Sequence, residues 1–310
     1  MDTSSLLARL GIDDRDRWRE LWQRRLAAMG GGASDAAGRL DPRLLWGLAL
    51  PMLSWLERAP AAPVLALQAP VGAGKTTLSR ALQQLAALIG CRLAVVSIDD
   101  AYLGWQERQQ RMAGNPFGVN RVPPGSHDVD LLLQAMAAWR AHSGPERELR
   151  LPRFDKTLRR GQGDRAGFVT TAADALLLEG WLVGYEPLGE PTIRRWLAVA
   201  GHDLSPPEQQ WLLTCDQSLA AYSRLWAACD SFWCLEPSDW SAVLRWRLQA
   251  EARQRRTGSG AMDATLVKRL VRATMASLPP ALYQSGLQQR AMAVAQLDRR
   301  RRCIGVEPSL

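Results

Sequence analysis

Between Ala69 and Leu78 the chain reads APVGAGKTTL, which fits the spacing [AG]-x4-G-K-[ST] with Ala69 in the first position. That spacing suits one task, gripping a polyphosphate. Glycines let successive backbone N–H groups converge on phosphate oxygens without interference from a Cβ. A helix starting directly after them adds the positive end of its dipole. Gly72, Ala73, Gly74, Lys75, Thr76 and Thr77 are therefore the candidate nucleotide-binding residues. Lys75 is expected to reach the β- and γ-phosphates and to act in catalysis, and Thr76 to place its hydroxyl on a metal ion. The loop implies ATP and Mg2+.

Two acidic stretches complement it. SIDDAYL, Ser97 to Leu103, follows an apolar run, so Asp99 and Asp100 fall at the carboxyl end of an expected strand, where ligands sit in open α/β sheets. A carboxylate there can accept the proton of an attacking hydroxyl. The residues alone leave open which of Asp99 and Asp100 is that base and which its acceptor-side neighbour, and aspartate also caps helices well. LLLEG, Leu176 to Gly180, carries Glu179 after its apolar run, the usual place for a magnesium-side carboxylate. A solvated acid at a strand end is the alternative.

A third stretch is LPRFDKTLRRGQGDR, Leu151 to Arg165. The chain has 39 Lys+Arg, and its only lysines are Lys75, Lys156 and Lys268. Arginine is a rigid, always-charged fork, whereas lysine is a compact cation on a flexible stem. A lysine among arginines suits a site too narrow for two guanidiniums, and Lys156 stands three residues after Arg153. An ion pair of Lys156 with Asp155 or Asp164 is the structural alternative.

The elements that must position these residues can be read from periodicity. Short apolar runs at Val64–Gln68, Arg92–Asp99, Asp174–Gly180, Ser231–Pro237 and Ala291–Asp298 read as buried strands separated by helical stretches. This alternation predicts an α/β fold, a parallel sheet with helices on both faces. Residues 1–60 read as a helical extension and 61–310 as the domain carrying the phosphate loop. Trp18, Leu21, Trp22, Leu26 and Met29 make one apolar stripe, which is expected to pack on a face of the sheet. GGGAS, Gly30 to Ser34, breaks the extension; Asp41 and Pro42 restart it as N-cap and first helical residue, and Pro51 is expected to kink it. The zones 111–128 and 151–173, rich in Pro, Gly and Arg, are expected as long loops.

Composition bounds the rest. The formal charge of +8 suits anionic partners, or a solvated arginine-rich surface. No aromatic and basic platform or other nucleic-acid motif accompanies it, so a nucleic-acid partner is not expected. There is no NKxD-type guanine-specificity segment. Five cysteines without a CxxC spacing suit a reducing compartment. No apolar run is long enough for a membrane span, and no targeting segment is apparent at the N-terminus. A cytoplasmic, monomeric protein acting on a small molecule is expected.

The motifs GAGKTT, SIDDAYL, RVPPGSHD, PRFDKTLRRGQGDR and LLLEGW occur in the order seen in plant-type D-glycerate 3-kinases, and from about residue 64 onwards the chain resembles that family of P-loop kinases, relatives of phosphoribulokinase, pantothenate kinase and uridine kinase. The resemblance implies phosphorylation of D-glycerate to 3-phospho-D-glycerate by ATP and Mg2+, by in-line transfer. Carried over by position, Asp99 is the base, Glu179 the magnesium-side acid, and His127, Asp128, Arg153, Lys156 and Arg165 lie near the acceptor; for an acceptor as small as glycerate the resemblance implies Arg153 as carboxylate clamp, with Lys156 as a slim second cation or on the transferring phosphoryl. SDWSAVLRWRLQAE is expected to form a lid helix that brings Arg247 to the phosphates, with Arg245 either beside it or on a solvated face. The departures are Ala69 for the first glycine, Ala101 for an aromatic, Val122 for a glycine and Ser126 for a threonine. Ala101 bears on acceptor identity, so a kinase of another small alcohol, such as a nucleoside or pantothenate, is the alternative enzyme. A non-catalytic ATP-binding module is the alternative of another class.

Overall fold

A computed structural model describes residues 4–28, 37–142, 144, 147–256 and 262–308. The GGGAS break and Met29 lie outside the described residues. Eight strands are present among them: β1 (Val64–Gln68), β2 (Leu93–Ser97), β3 (Glu148–Asp155), β4 (Asp164–Ala172), β5 (Ala175–Gly180), β6 (Ser231–Pro237), β7 (Ala293–Leu297) and β8 (Cys303–Pro308). The main sheet runs β2-β5-β1-β6-β7-β8. Its first five strands are parallel and β8 closes the edge antiparallel to β7. All five strands expected from the apolar runs are there.

The central strands bury both faces, and their period of two divides the core. Val64, Ala66, Leu176 and Leu178 point to one cluster, which also takes residues of the 129–141, 206–227 and 280–290 helices. Leu65, Leu67, Leu177 and Leu235 point to the other, which holds the 75–86 helix and the N-terminal helices Ser4–Arg9, Arg15–Ala27 and Leu50–Leu56. The residues before Val64 therefore cover a sheet face and share its core. Leu7, Trp22, Leu48 and Leu53 are fully buried there, each contributing about 1.5–3 kcal/mol of apolar burial. Tryptophan suits this seam, because its body is apolar and its N–H needs only one acceptor. Trp18 and Trp22 both donate to the buried Ser54 hydroxyl, at 2.8 and 3.0 Å.

Asp41 caps the next helix through Arg43 N, with Pro42 in its first turn. Pro51, expected as a kink, is preceded by a π-helical turn, Leu45–Ala49, before α-helix resumes. A wider turn absorbs a missing N–H and the proline ring within a continuous helix.

The largest departure from expectation is the 151–173 zone. It is not a loop but most of an antiparallel hairpin, β3 with β4. Its strands are polar and largely exposed, and the alternating burial of Leu149 and Leu151 is too short to stand out among arginines. The edge strand β8 was missed for the same reason: it is short, with Cys303 and Val306 as its buried residues. The 112–128 segment does lack helix and ladder, but it is pinned. Tyr102 and His127 form a β-bridge, and the Asn115 amide holds the carbonyls of Met112 and Val119.

Candidate active site

The phosphate loop connects β1 to the Lys75–Ala86 helix. Gly72 has φ +80° and Gly74 φ +103°, conformations that a side chain opposes. Gly74 is the helix N-cap and brings no side chain to it, so the first N–H groups are left for an anion. Gly72 answers to a second constraint. A Cβ there would come within 2.9 Å of the backbone of Trp246 and Arg247, so the glycine also lets the Ala242–Arg256 helix sit against the loop. Lys75 Nζ donates to the carbonyls of Ala69 and Pro70, at 2.8 and 3.3 Å. Burial pushes this ammonium below its ordinary value, with Glu179 and Asp99 pulling the other way.

Glu179, at the end of β5, pairs in register with Leu67 of β1 and Ser97 of β2. It is buried, and burial raises its carboxyl against the opposing pull of Lys75. Its Oε2 has no hydrogen-bond partner. An orphaned carboxylate oxygen beside a phosphate loop fits a hard cation, which takes oxygen ligands and usually only one or two carboxylates alongside phosphate.

Past β2 the chain turns through a short 3-10 helix, Ile98–Ala101, and here the two aspartates part. Asp100 closes a capping box: Ser97 N donates to its Oδ2 at 3.2 Å. Burial raises its carboxyl. Asp99 faces the cleft, where Tyr102 Oη donates to Oδ1 at 2.9 Å and Lys156 Nζ to Oδ2 at 2.9 Å. His127 Nε2 stands 3.8 Å from Oδ1. Burial opposes ionisation of Asp99, but Lys156 and His127 outweigh it and hold the carboxyl well below the usual range. Two alternatives for Lys156 are thereby removed, since Asp155 bonds Thr157 and Asp164 bonds Arg159.

His127 is buried and stacked on Tyr102, with centroids 4.4 Å apart. Its Nδ1 lies 2.7 Å from Tyr222 Oη, which also accepts from Gly125 N at 3.0 Å. Tyr222 then has its one proton to donate to Nδ1, which leaves the ring proton on Nε2, towards Asp99. Burial lowers His127, so the ring stays neutral at ordinary pH.

A cavity of about 80 Å³ opens beside Asp99, lined by Tyr102, Arg121, Lys156 and Arg247 among others. Arg247 is held by the buried Glu251 at 2.5 Å. Arg245 instead binds the carbonyl of Arg299 and does not line the cavity. Of the residues expected around the acceptor, Lys156 lines the cavity and His127 backs its base. Asp100, Asp128, Arg153 and Arg165 are not among its lining residues. Arg153 lies 3.4 Å from the capping Asp100. Asp128 caps the Val129–Ala141 helix and takes Arg165 Nη2 at 2.5 Å, while Arg165 Nε holds the Tyr102 carbonyl.

Three residues escaped the sequence reading. Tyr102 and Tyr222 orient the Asp99 and His127 pair. Arg108, wholly buried, donates to the carbonyls of Leu103 and Gly163 at 2.6 Å each, and lies over the Phe154 ring. It ties the hairpin turn, whose Arg159 and Arg160 have positive φ, to the Asp99 segment. Composition could not reveal one structural arginine among so many.

Comparison with known proteins follows the same lines. No family model matches the chain. It is 31% identical over 236 residues to the chloroplastic D-glycerate 3-kinase of Arabidopsis thaliana, a match covering 72% of this chain and 49% of that protein. The chain thus spans about half the length of this plant relative. It is 30% identical over 239 residues to the uncharacterized kinase mug58 of Schizosaccharomyces pombe, covering 70% of this chain and 82% of that one. Among solved structures, the D-glycerate 3-kinase of Cryptococcus neoformans superposes with a TM-score of 0.72 at 26% identity, over 90% of this chain and 100% of that one. The YGR205w protein shares the fold, with a TM-score of 0.63 at 22% identity.

Proposed function

The chain belongs to the D-glycerate 3-kinase family of P-loop kinases, and from that premise we propose that it transfers the γ-phosphoryl group of ATP to D-glycerate, yielding 3-phospho-D-glycerate and ADP. The observation that carries the acceptor class is the cavity beside Asp99. Its lining holds three cations, Arg121, Lys156 and Arg247, against one carboxylate, Asp99. That balance suits an anionic acceptor meeting a phosphoryl group.

In this reading Asp99 accepts the proton of the acceptor hydroxyl as its oxygen bonds to the γ-phosphorus and the bond to the β,γ-bridging oxygen breaks, releasing ADP. The Tyr102 hydroxyl, bonded to Asp99 Oδ1, holds that carboxylate in place for the transfer, with the His127 ring stacked on Tyr102 behind it. The loop from Gly72 to Thr77 and the Lys75 ammonium hold the β- and γ-phosphates, so that Lys75 exchanges its two carbonyls for phosphate oxygens. Arg247 adds charge from the helix above. Thr76 and Glu179 would hold a Mg2+ ion, which would neutralise charge on the phosphates. Lys156 sits on an exposed, flexible stem, so it can pass from Asp99 to the incoming anion, freeing a lone pair on the base. Arg153, Asp128 and Arg165 act by shaping the Asp99 segment and the hairpin.

No helix among the described residues is long and apolar enough to cross a membrane. The five cysteines are free and buried or half-buried, which supports our placing of the enzyme in a reducing, cytoplasmic compartment. The test is ADP release from ATP with D-glycerate, glycerol, a nucleoside and pantothenate as acceptors, with the phosphorylated position read by phosphorus NMR. We expect turnover with D-glycerate and a phosphate on its 3-oxygen. Turnover with the nucleoside or pantothenate in its place would refute the acceptor, and ATP binding without turnover on any acceptor would refute the enzyme.

A further inference from the structure

We propose that Arg121, rather than an arginine of the hairpin, is the residue that takes the acceptor's carboxylate; this deepens the glycerate kinase reading and rests on it. Arg121 is 6% exposed and lines the same cavity as Asp99 and Lys156. Its Nη1 is satisfied, donating to the carbonyls of Gly161 and Gln162 at 3.1 and 2.7 Å. Its Nη2 has only the thioether of Met262, at 3.8 Å, and thioether sulfur is a weak acceptor. Among the described residues no carboxylate pairs with it. Its neighbour Arg108 is a second buried guanidinium that feels Arg121 as a repelling charge. Buried charges are as a rule paired, since an isolated one costs several kcal/mol. A buried guanidinium with one edge tied and the other turned on a weak acceptor, in the cavity of the base, calls for an anion there.

The backbone supports the assignment. Val122, the next residue, has φ +96° and also lines the cavity. A β-branched residue in that region is strained, and such strain is kept where surrounding structure fixes it for a use. The surroundings are also positive. A groove of about 620 Å³ borders the cavity at Arg121 and Leu270, carries Arg160 and Arg269, and has no acidic residue in its lining. Arg153, by contrast, is 44% exposed at its side chain and lies on Asp100.

The experiment pairs a change in the protein with a change in the ligand. Steady-state efficiency is measured for the wild type, Arg121→Gln, Arg121→Lys and Arg153→Gln, each with D-glycerate and with its neutral amide, D-glyceramide. Binding of D-glycerate in the presence of ADP is measured separately by calorimetry. We expect Arg121→Gln to lose about 10²–10³-fold with D-glycerate and less than about 5-fold with D-glyceramide, as for truncation of one partner of a buried charge pair. Arg121→Lys should recover part of the loss, because it keeps the charge and not the fork. Equal losses on both acceptors would assign Arg121 a structural role and overturn the proposal. So would a carboxylate-selective loss in Arg153→Gln, or a wild type that uses D-glyceramide as well as D-glycerate, a comparison that stands even if Arg121→Gln does not fold. Calorimetry separates the two levels. Arg121-dependent binding of D-glycerate without turnover would retain the clamp and sink the kinase reading, whereas turnover with equal binding by wild type and Arg121→Gln would do the reverse.

Discussion

Replacing Lys156 by alanine probes the site at its centre. The side chain makes one charge-assisted hydrogen bond, 2.9 Å to Asp99 Oδ2, and is itself 52% exposed. In the free protein solvent screens the pair, so its loss should change global stability by less than about 1 kcal/mol. In the proposed complex the acceptor and the phosphoryl group would displace that solvent. The lysine then makes desolvated charge-assisted contacts of about 1.5–3 kcal/mol, several of which strengthen in the transition state. We therefore expect Lys156→Ala to cost about 2–3 kcal/mol in kcat/KM for D-glycerate, or roughly 30–150-fold. Lys156→Arg should recover less than half of this in free-energy terms, because a planar fork does not fit where a point charge did. A pH signature accompanies the loss. As the proposed base, Asp99 would act only when ionised, and Lys156 is the strongest influence holding its carboxyl low against burial. Without the lysine, burial raises the carboxyl, so the acid limb of kcat/KM against pH moves to higher pH. Stopped assays with D-glycerate across the acid range read both effects. Near-normal efficiency with an unmoved acid limb, or full activity in Lys156→Arg, would refute the reasoning and reduce the contact to a surface ion pair.

Lys75→Ala should keep its circular-dichroism spectrum and lose at least about 10³-fold in turnover, since the β,γ-phosphate cation supplies several kcal/mol of transition-state stabilisation; wild-type turnover in the folded variant would undo the phosphate-site assignment. Asp99→Asn should lower kcat by about 10²–10⁴-fold with little change in the KM for ATP. Asp100→Asn should instead cost about 1 kcal/mol of stability through its cap, with less than tenfold effect on kcat; the reverse pattern would exchange their roles. Gly72→Ala should destabilise by about 2 kcal/mol or more and raise the KM for ATP, because the new Cβ meets helix backbone at positive φ. Thermal melts with and without ADP read this, and an unshifted melting temperature would contradict it.

The strand that carries Glu179, the strand that leads to Asp99 and the loop that leads to Lys75 were legible because their signals are local. An apolar run, a glycine spacing and a helix start lie within a few residues of one another, and parallel strands buried on both faces read as continuous hydrophobic runs. The hairpin was not legible. Its strands pair through backbone across an arginine-rich turn, and their exposed side chains carry little periodic signal. The roles of Asp99 and Asp100 were likewise undecided by composition, since adjacent aspartates differ only in which way the 3-10 turn points them.

By itself the sequence determined the fold class, the phosphate grip and the acids at the strand ends, because each depends on residue types at short, fixed spacing. Only the tertiary structure decided which of the many arginines are buried against the hairpin. Arg108 and Arg121 lie 54 and 40 residues or so from the hairpin carbonyls they hold, and Lys156 lies 57 residues from the aspartate it clamps. In a chain this rich in one cation, every arginine looks alike until burial removes the solvent from some of them. Burial makes an unpaired charge costly, and that cost depends on surroundings assembled from distant segments.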